Sequence, residues 1–487
     1  MLPLLSTLIL AQIIPTVSPV PAAPAMAASA IEERLPPSEI PLLQEFLSPR
    51  ELLQLQEVRS LAGQADDVPV FNSNSPELVL TEGILLSTFS PEGKQFPQAH
   101  LNFSFKDRFD IFTHHIAKAG NGDATRTLFQ GILVNNPGQQ PVTINILEAA
   151  TYLTRPDAIF INLPSVVENP IGTIFAGPGS RTMDDILRGR RRWFPTLVLQ
   201  PGQSEMLMNL PIPVGVVTPS SNGRSTLTRL RSSGEVYVAN LAMFAPLNPD
   251  GTERIPTVEE WQRLLETANL AGPRDLVPTP LAQTTGPLIY GRVAGVARGS
   301  SWKARLTDKT GDSLSVPLPG QAFSYALSTV LRGTLGTGQV QSARMLARYP
   351  DTAYQAHGNY GMAYDLTLPL HNATNQTRTV VLTLQTPLKE NRIQGGLRFL
   401  DPPEPQVFFR GTVRFRYTDD QGELQTRYFH LVQNRGQMGE PLVLLTMPPG
   451  DRRLVYVEFL YPPDSTPPQV LTVRTLPEGL LPPSTKF

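Results

Sequence analysis

Apolar and polar residues alternate one by one through Val142-Thr143-Ile144-Asn145-Ile146 and through Val413-Arg414-Phe415-Arg416-Tyr417. A period of two puts successive side chains on opposite faces of a pleated strand, so both stretches are expected as half-buried strands. The second runs into Asp419-Asp420-Gln421-Gly422 and then Leu424 to Val432, which predicts a hairpin. Further turns are expected at Asn248-Pro249-Asp250-Gly251 and Asp308-Lys309-Thr310-Gly311. Helical patterning is confined to a few short stretches. Ser48-Pro49-Arg50-Glu51 reads as a capping box with proline at the first helical position, and Leu47 and Leu52 stand as a hydrophobic staple. Leu52, Leu55, Val58 and Leu61 then fall on or near one face. Thr257-Val258-Glu259-Glu260 repeats the capping pattern ahead of Trp261, Leu264, Leu265 and Ala268, and Gly272-Pro273 stops that helix.

The two halves of the chain echo each other. Asn135-Asn136-Pro137 precedes the strand 141–146, and Pro201-Gly202-Gln203-Ser204 precedes the strand 205–210. Later His371-Asn372-Ala373-Thr374 precedes 379–385, and Pro449-Gly450-Asp451-Arg452 precedes 454–460. Two such units, together with the length of the chain, predict a mainly β protein of two β-sandwich-like (Ig-like) domains with a few short helices. The expected division is a leader over 1–27, a lead-in with one helix over 28–65 and a first β domain over 66–270. A Pro/Gly/Thr-dense linker over 271–288, a second β domain over 289–478 and a tail over 479–487 follow.

Composition agrees with strands. Proline is 49 of 487 residues, about twice the usual share of roughly 5%, and charged residues are only 17% against roughly 25%. Proline interrupts helices, and long solvated helices need charge. Cysteine is absent, which excludes disulfides, thiolate metal sites and a cysteine nucleophile. A net charge of −1 gives no field for nucleic acid. Before the first charged residue, Glu32, an apolar run Leu2–Ile14 leads to Ala25-Met26-Ala27. Small residues two apart behind an apolar segment predict a signal peptide, and the run is too short to span a bilayer. The mature chain is therefore expected in the periplasm or cell envelope, without a transmembrane segment.

Chemistry is sparse. Of six histidines only His114-His115 invites a metal reading, and neighbours on a strand face opposite ways, so no metal and no cofactor is expected. Ser300-Ser301-Trp302-Lys303 and Lys309-Thr310-Gly311 imitate pieces of a penicillin-recognising serine enzyme, but they lie too close together for that architecture. Asp110, Asp184 and Asp185 are candidates for a carboxylate hydrolase, the alternative to a binding protein. Arg188-Gly189-Arg190-Arg191-Arg192-Trp193 is the strongest charge feature. Arg188, Arg190, Arg191 and Arg192 beside Trp193 form the candidate anion site, since guanidiniums grip carboxylates bidentately and stack on rings; a solvated loop is the alternative.

Four segments carry a family resemblance: Val68-Pro69-Val70-Phe71-Asn72-Ser73-Asn74-Ser75-Pro76, Phe109-Asp110-Ile111-Phe112-Thr113-His114-His115-Ile116, Ile289-Tyr290-Gly291-Arg292-Val293-Ala294-Gly295-Val296 and Gly358-Asn359-Tyr360-Gly361. Through them the chain resembles an uncharacterised family of exported cyanobacterial proteins, a DUF3370-like domain of unknown function. The resemblance implies a bacterial origin and export and supplies no catalytic residue. The expected role is binding or structural, with envelope polysaccharide or another envelope protein as partner.

Overall fold

The structure, a computed structural model, describes residues 49–119, 125–190 and 196–479. The leader 1–27 and the tail beyond 479 lie outside the described residues, as do Arg191, Arg192 and Trp193. The chain is mainly β, with several sheets and, among the described residues, two ten-residue α-helices, α1 (Pro178–Leu187) and α2 (Val258–Thr267). Among the described residues no helix is long and apolar enough to cross a membrane.

Local patterns hold where the chain pairs with its own neighbours. Val407–Thr418 and Leu424–Asn434 form the expected hairpin, with Val413 opposite Phe429. Its turn closes through Gly422 N to Asp419 O at 3.1 Å, and Gly422 has the positive φ that the turn requires. Helix α2 carries its capping box: Thr257 Oγ1 accepts from Glu260 N at 3.3 Å, and Glu260 Oε2 accepts from Thr257 N at 2.8 Å. Trp261, Leu264 and Leu265 are its buried stripe.

The helix expected after Ser48 is a strand instead. Arg50–Leu55 pairs antiparallel with Gly396–Asp401, and Glu57–Arg59 pairs parallel with Ala322–Leu327. Sheet edges with open donors and acceptors take up this segment, and ladder bonds plus the packing of Leu52 and Val58 outweigh its helical caps.

Nor does 271–288 divide the sheets. Ala294–Arg298, beyond that segment, bonds to Pro69–Ser73 before it, with Val296 opposite Phe71, and also to Ala343–Arg348. In exchange, Val166–Glu168 joins the sheet of Leu424–Asn434. The described residues from Pro49 onward belong to one compact unit. Backbone groups at an edge need partners from anywhere in the chain, and composition does not reveal where they come from.

One strand, Ser221–Phe244, organises the first half. Its beginning lies between Phe105–Lys118 and Val142–Leu153; its end lies between Gly83–Ser87 and Leu128–Asn135. The register shifts between Ser232 and Val236, where a Cβ on Gly234 would come within 2.6 Å of Val142. A core containing Phe71, Phe105, Phe109, Val134, Leu230 and Val238 fills the space the bend encloses. In the second half, Phe323, Leu382 and Val473 meet Leu366, Phe415 and Val457 from another sheet in a shared core.

The internal echo extends to the hydrogen bonding of its asparagines. Asn136 and Asn372 are both fully buried. Asn136 Nδ2 donates to Gln140 O (2.8 Å) and Leu199 O (3.1 Å), while its Oδ1 accepts from Gly138 N (2.9 Å). Asn372 Nδ2 donates to Gln376 O (2.7 Å) and Met447 O (2.8 Å), while its Oδ1 accepts from Thr374 N (3.1 Å). Each asparagine backbone also bonds the answering turn: Gly202 N to Asn136 O and Gly450 N to Asn372 O, both 2.8 Å. Each corner thereby ties two strand pairs. Leu128–Asn135 with Ser204–Ile212 and Val142–Leu153 with Leu197–Leu199 in the first half correspond to Ala363–His371 with Arg452–Leu460 and Arg378–Gln385 with Val443–Met447 in the second.

Candidate functional site

Strand Ser301–Arg305 alternates in its burial, with Trp302 and Ala304 inward and Lys303 and Arg305 outward. Trp302 Nε1 donates to Ala62 O at 2.8 Å and anchors the strand. Asp66 organises its start: Oδ1 accepts from Ser300 N at 2.7 Å and Oδ2 from the Ser301 hydroxyl at 2.8 Å. The Ser-x-x-Lys motif is thus an edge strand whose serine serves a turn. Lys303 is left exposed, with no ion pair to any described residue.

Lys303 stands on one wall of an open groove of about 530 Å³. The other walls carry ion pairs set by strand register. Arg414 lies opposite Glu458 and grips it bidentately at 2.7 and 2.9 Å, and Arg416 Nε adds a third contact at 2.8 Å. Burial pushes the Glu458 carboxyl up, but the two guanidiniums outweigh burial and hold it below its ordinary range. Arg229 faces Glu148 across its ladder, with Nη1 to Oε2 at 3.0 Å, and Arg108 and Arg229 flank the buried Asp110. A second open depression, about 570 Å³ and lined by Gln64, Asp66, Asp67, Ser301 and Lys303, continues the groove, since both share Asp66, Ser301 and Lys303. The result is an extended channel of both charge signs on a rigid sheet. It can offer many oriented hydrogen bonds to a polar polymer.

The arginine cluster is divided. Arg188 lines the groove, but its side chain is only 7% exposed and is committed to the fold. It donates to Asp184 Oδ2 at 2.8 Å, Pro170 O at 3.0 Å and Asn169 O, and its guanidinium lies 3.8 Å from the centroid of Tyr428. Arg190 donates to Asp185 Oδ1 at 3.0 Å and to Gly172 O at 3.1 Å. Both guanidiniums fasten the end of α1 to the loop 169–172; Arg190 keeps 43% of its side chain exposed, whereas Arg188 is turned inward and pairs with the buried Asp184. Breaking such a buried pair costs about 3 kcal/mol or more. Arg188→Ala is therefore expected to lower the urea midpoint markedly, because Asp184 would stay buried with its ion-pair partner gone and only Thr412 and the more distant Arg190 to stabilise its charge; an unchanged midpoint would return Arg188 to the ligand-binding set.

The carboxylates proposed for hydrolysis are also engaged. Asp110 is held between Arg108 and Arg229, Asp184 by Arg188, and Asp185 by Arg190 and the Tyr152 hydroxyl. Burial pushes the Asp184 carboxyl up against the pull of Arg188. His114 and His115 point to opposite faces as their strand demands: His114 Nδ1 meets Ser225 Oγ at 2.7 Å, and His115 Nε2 meets Ser73 Oγ at 3.0 Å. No group of three or more metal-type side chains occurs among the described residues. The outward pair Arg414 and Arg416 was legible in the alternation of 413–417; their partner Glu458 and the Arg229–Glu148 pair come together only through strand register.

Comparison with known proteins adds little beyond the family. No curated protein matches. Solved structures that match include Lac15 from a marine microbial metagenome (10% identity, 77% of this chain and 54% of that one, TM-score 0.10). Coconut allergen cocosin (10%, 77% and 84%, TM-score 0.09) and procruciferin, an 11S globulin from Brassica napus (11%, 84% and 85%, TM-score 0.09), also match. The chain spans only 54% of the length of Lac15, and at these TM-scores none of the three carries an argument about fold or function. The family model for proteins of unknown function designated DUF3370 matches residues 56–475.

Proposed function

The chain belongs to the DUF3370 family, and we propose that it is an exported, non-enzymatic protein of the cell envelope whose groove binds envelope polysaccharide. The observation that carries this reading is the continuous polar channel running past Asp66, Ser301 and Lys303 to Arg414 and Glu458. Its charged walls are held in place by ion pairs, so little side-chain freedom is lost when a ligand is bound. A glycan strand presents hydroxyls along its whole length and suits such walls better than a compact ligand would. Export rests on the leader 1–27, and the two halves are read as β-sandwich-like layers of Ig type that exchange edge strands.

Titration of the full chain with an acidic exopolysaccharide tests the proposal. Lys303→Glu reverses an exposed charge that no ion pair holds, so affinity is expected to fall on the order of fivefold with Tm unchanged. Absence of binding, or binding indifferent to this change, would refute it.

A polysaccharide hydrolase is the second reading, favoured by one pair of carboxyls. Burial pushes Asp464 up to about 6 against Arg410, with the charge of Glu77 adding to it, and burial also raises Glu77 against Arg292, with the charge of Asp275 adding to it. Turnover of the same polysaccharide that disappears in a folded Asp464→Asn variant would place the hydrolase ahead of the binding protein.

A further inference from the structure

A second cavity, sharing no lining residue with the groove, lies under the segment that follows the Pro/Gly/Thr-dense stretch. Its volume is about 180 Å³, close to the ~150 Å³ of an engineered cavity that accepts one benzene ring. Val293 and Val330 give it apolar walls, and Tyr290 and Tyr360 give it aromatic ones. Tyr290 is fixed edge-on to His357 at 4.7 Å between ring centroids, and its hydroxyl donates to Leu331 O at 2.6 Å. The ring of Tyr360 lies so close to Gly358 that a Cβ there would come within 2.3 Å of it. A larger residue at 358 would displace that wall.

Three polar side chains line this space with bonding capacity left over. Asn74 is 3% exposed, and its Oδ1 is buried with no hydrogen bond. His357 Nδ1 is likewise buried and unpaired. At the mouth, Lys389 Nζ donates to the Tyr290 hydroxyl at 3.3 Å and lies 4.6 Å from that ring's centroid, with no carboxylate in ion-pair contact among the described residues. A buried polar atom left unpaired costs about 1–3 kcal/mol, and a ligand that pairs it recovers that cost. Asn74, Lys389 and the walls differ in what they ask for. Asn74 Oδ1 needs a donor, Lys389 needs an anionic acceptor, and the walls between them need a ring with an apolar face. Three of the four segments through which the chain resembles its family meet here, since Asn74 lies in 68–76, Tyr290 and Val293 in 289–296, and Tyr360 in 358–361.

We infer that this cavity binds a single hydroxylated ring bearing a carboxylate, a hexuronic acid unit, either free or at the end of an acidic polysaccharide. A ring hydroxyl donates to Asn74 Oδ1, the ring lies against Tyr360 and the valines, and the carboxylate meets Lys389 at the mouth. The site is independent of the groove, because the two share no lining residue and the cavity is walled by the segments between strands.

Calorimetric titration of the full chain with D-glucuronate, D-glucose and a glucuronate-terminated oligosaccharide tests this. D-Glucuronate is expected to bind saturably and at least about tenfold more tightly than D-glucose, the share of one charge-assisted hydrogen bond. Lys389→Met keeps the stem that packs on Gly333 and should weaken the acid by about the same factor, while Lys389→Arg keeps the charge and should retain binding within about threefold. Lys303→Glu in the groove should change nothing here. If only the oligosaccharide binds, with the same dependence on Lys389, the chain end is the natural source of the unit. No saturable binding of either acid, equal affinity for D-glucose, or indifference to Lys389→Met would overturn the inference and leave the cavity to water.

Discussion

Stability is expected to fall steeply as pH drops from 6.5 to about 4. Burial depresses His100, His115, His357 and His430 to about 4 and His114 to about 3, from an ordinary 6.5. The positive neighbours Lys94, Arg274, Lys389, Arg410 and Arg292 add to burial in lowering them in turn, and for His115 the bond to Pro76 O pulls the other way. A depressed histidine is neutral in the folded protein while the unfolded chain takes up its proton near 6.5. Its contribution is therefore whole above 6.5, shrinks as pH falls, and stops changing below the folded value. Each unit of depression is worth ~1.4 kcal/mol. His115 and His430, both fully buried, then account for several kcal/mol between them, out of the ~5–15 kcal/mol that keeps an ordinary domain folded. Asp464, raised to about 6, works in the opposite sense over the same window, as do Glu77 and Asp184, also raised by burial: three carboxyls against five imidazoles. The carboxylates of Glu458 and Asp351, held low by their arginines, yield only at still lower pH. Thermal melts at pH 7, 6, 5 and 4.5 check this. His430→Gln should flatten the slope by up to one proton's worth, whereas a Tm constant from pH 7 to 4.5 would contradict the burial of these rings.

Substitution of either corner asparagine is expected to be nearly as damaging. Asn372→Ala strips the buried carbonyl of Met447 and that of Gln376 of their donor and leaves Thr374 N without its acceptor. Asn136→Ala does the same to Leu199 O, Gln140 O and Gly138 N. Only Met447 O and Leu199 O belong to buried residues, while Gln376 and Gln140 are exposed and Thr374 and Gly138 half-buried, so at about 1–3 kcal/mol for a buried group left unpaired a loss of about 1–3 kcal/mol per corner follows. The two corners share no partner, so the double variant should lose about the sum. Aspartate should not rescue either position, because a carboxylate cannot donate and would face backbone oxygens. Urea midpoints read all three changes; a loss below about 1 kcal/mol at either site would mean that water replaces the amide.

These corners were legible in the sequence as paired landmarks, Asn-rich before one strand and Pro-Gly before another. Their spacing survives in the chain because a buried turn tolerates only a side chain that both donates and accepts at fixed offsets. The groove was less legible. Arg188 stood out as part of a charge cluster, yet its partners Asp184 and Asn169 turn it inward, while the exposed Lys303 sat inside a motif that suggested a different chemistry. The sequence singled out three of the segments that form the cavity of Tyr290 and Lys389 but not their meeting, since its lining comes from parts of the chain as far apart as Asn74 and Pro467.

By itself the sequence determined the strand-rich character, the hairpin at 407–434, helix α2 and the twin asparagine corners, because each depends on alternation, caps or turn chemistry within a few residues. The tertiary structure alone decided that Arg50–Leu55 is a strand and that Ala294–Arg298 completes a sheet begun at Pro69–Ser73. It also decided that Glu458 answers Arg414. Each of these rests on an open sheet edge or a register partner far away in the chain. A strand's hydrogen bonds are the same whichever segment supplies them, so only the folded arrangement of edges determines which segment does.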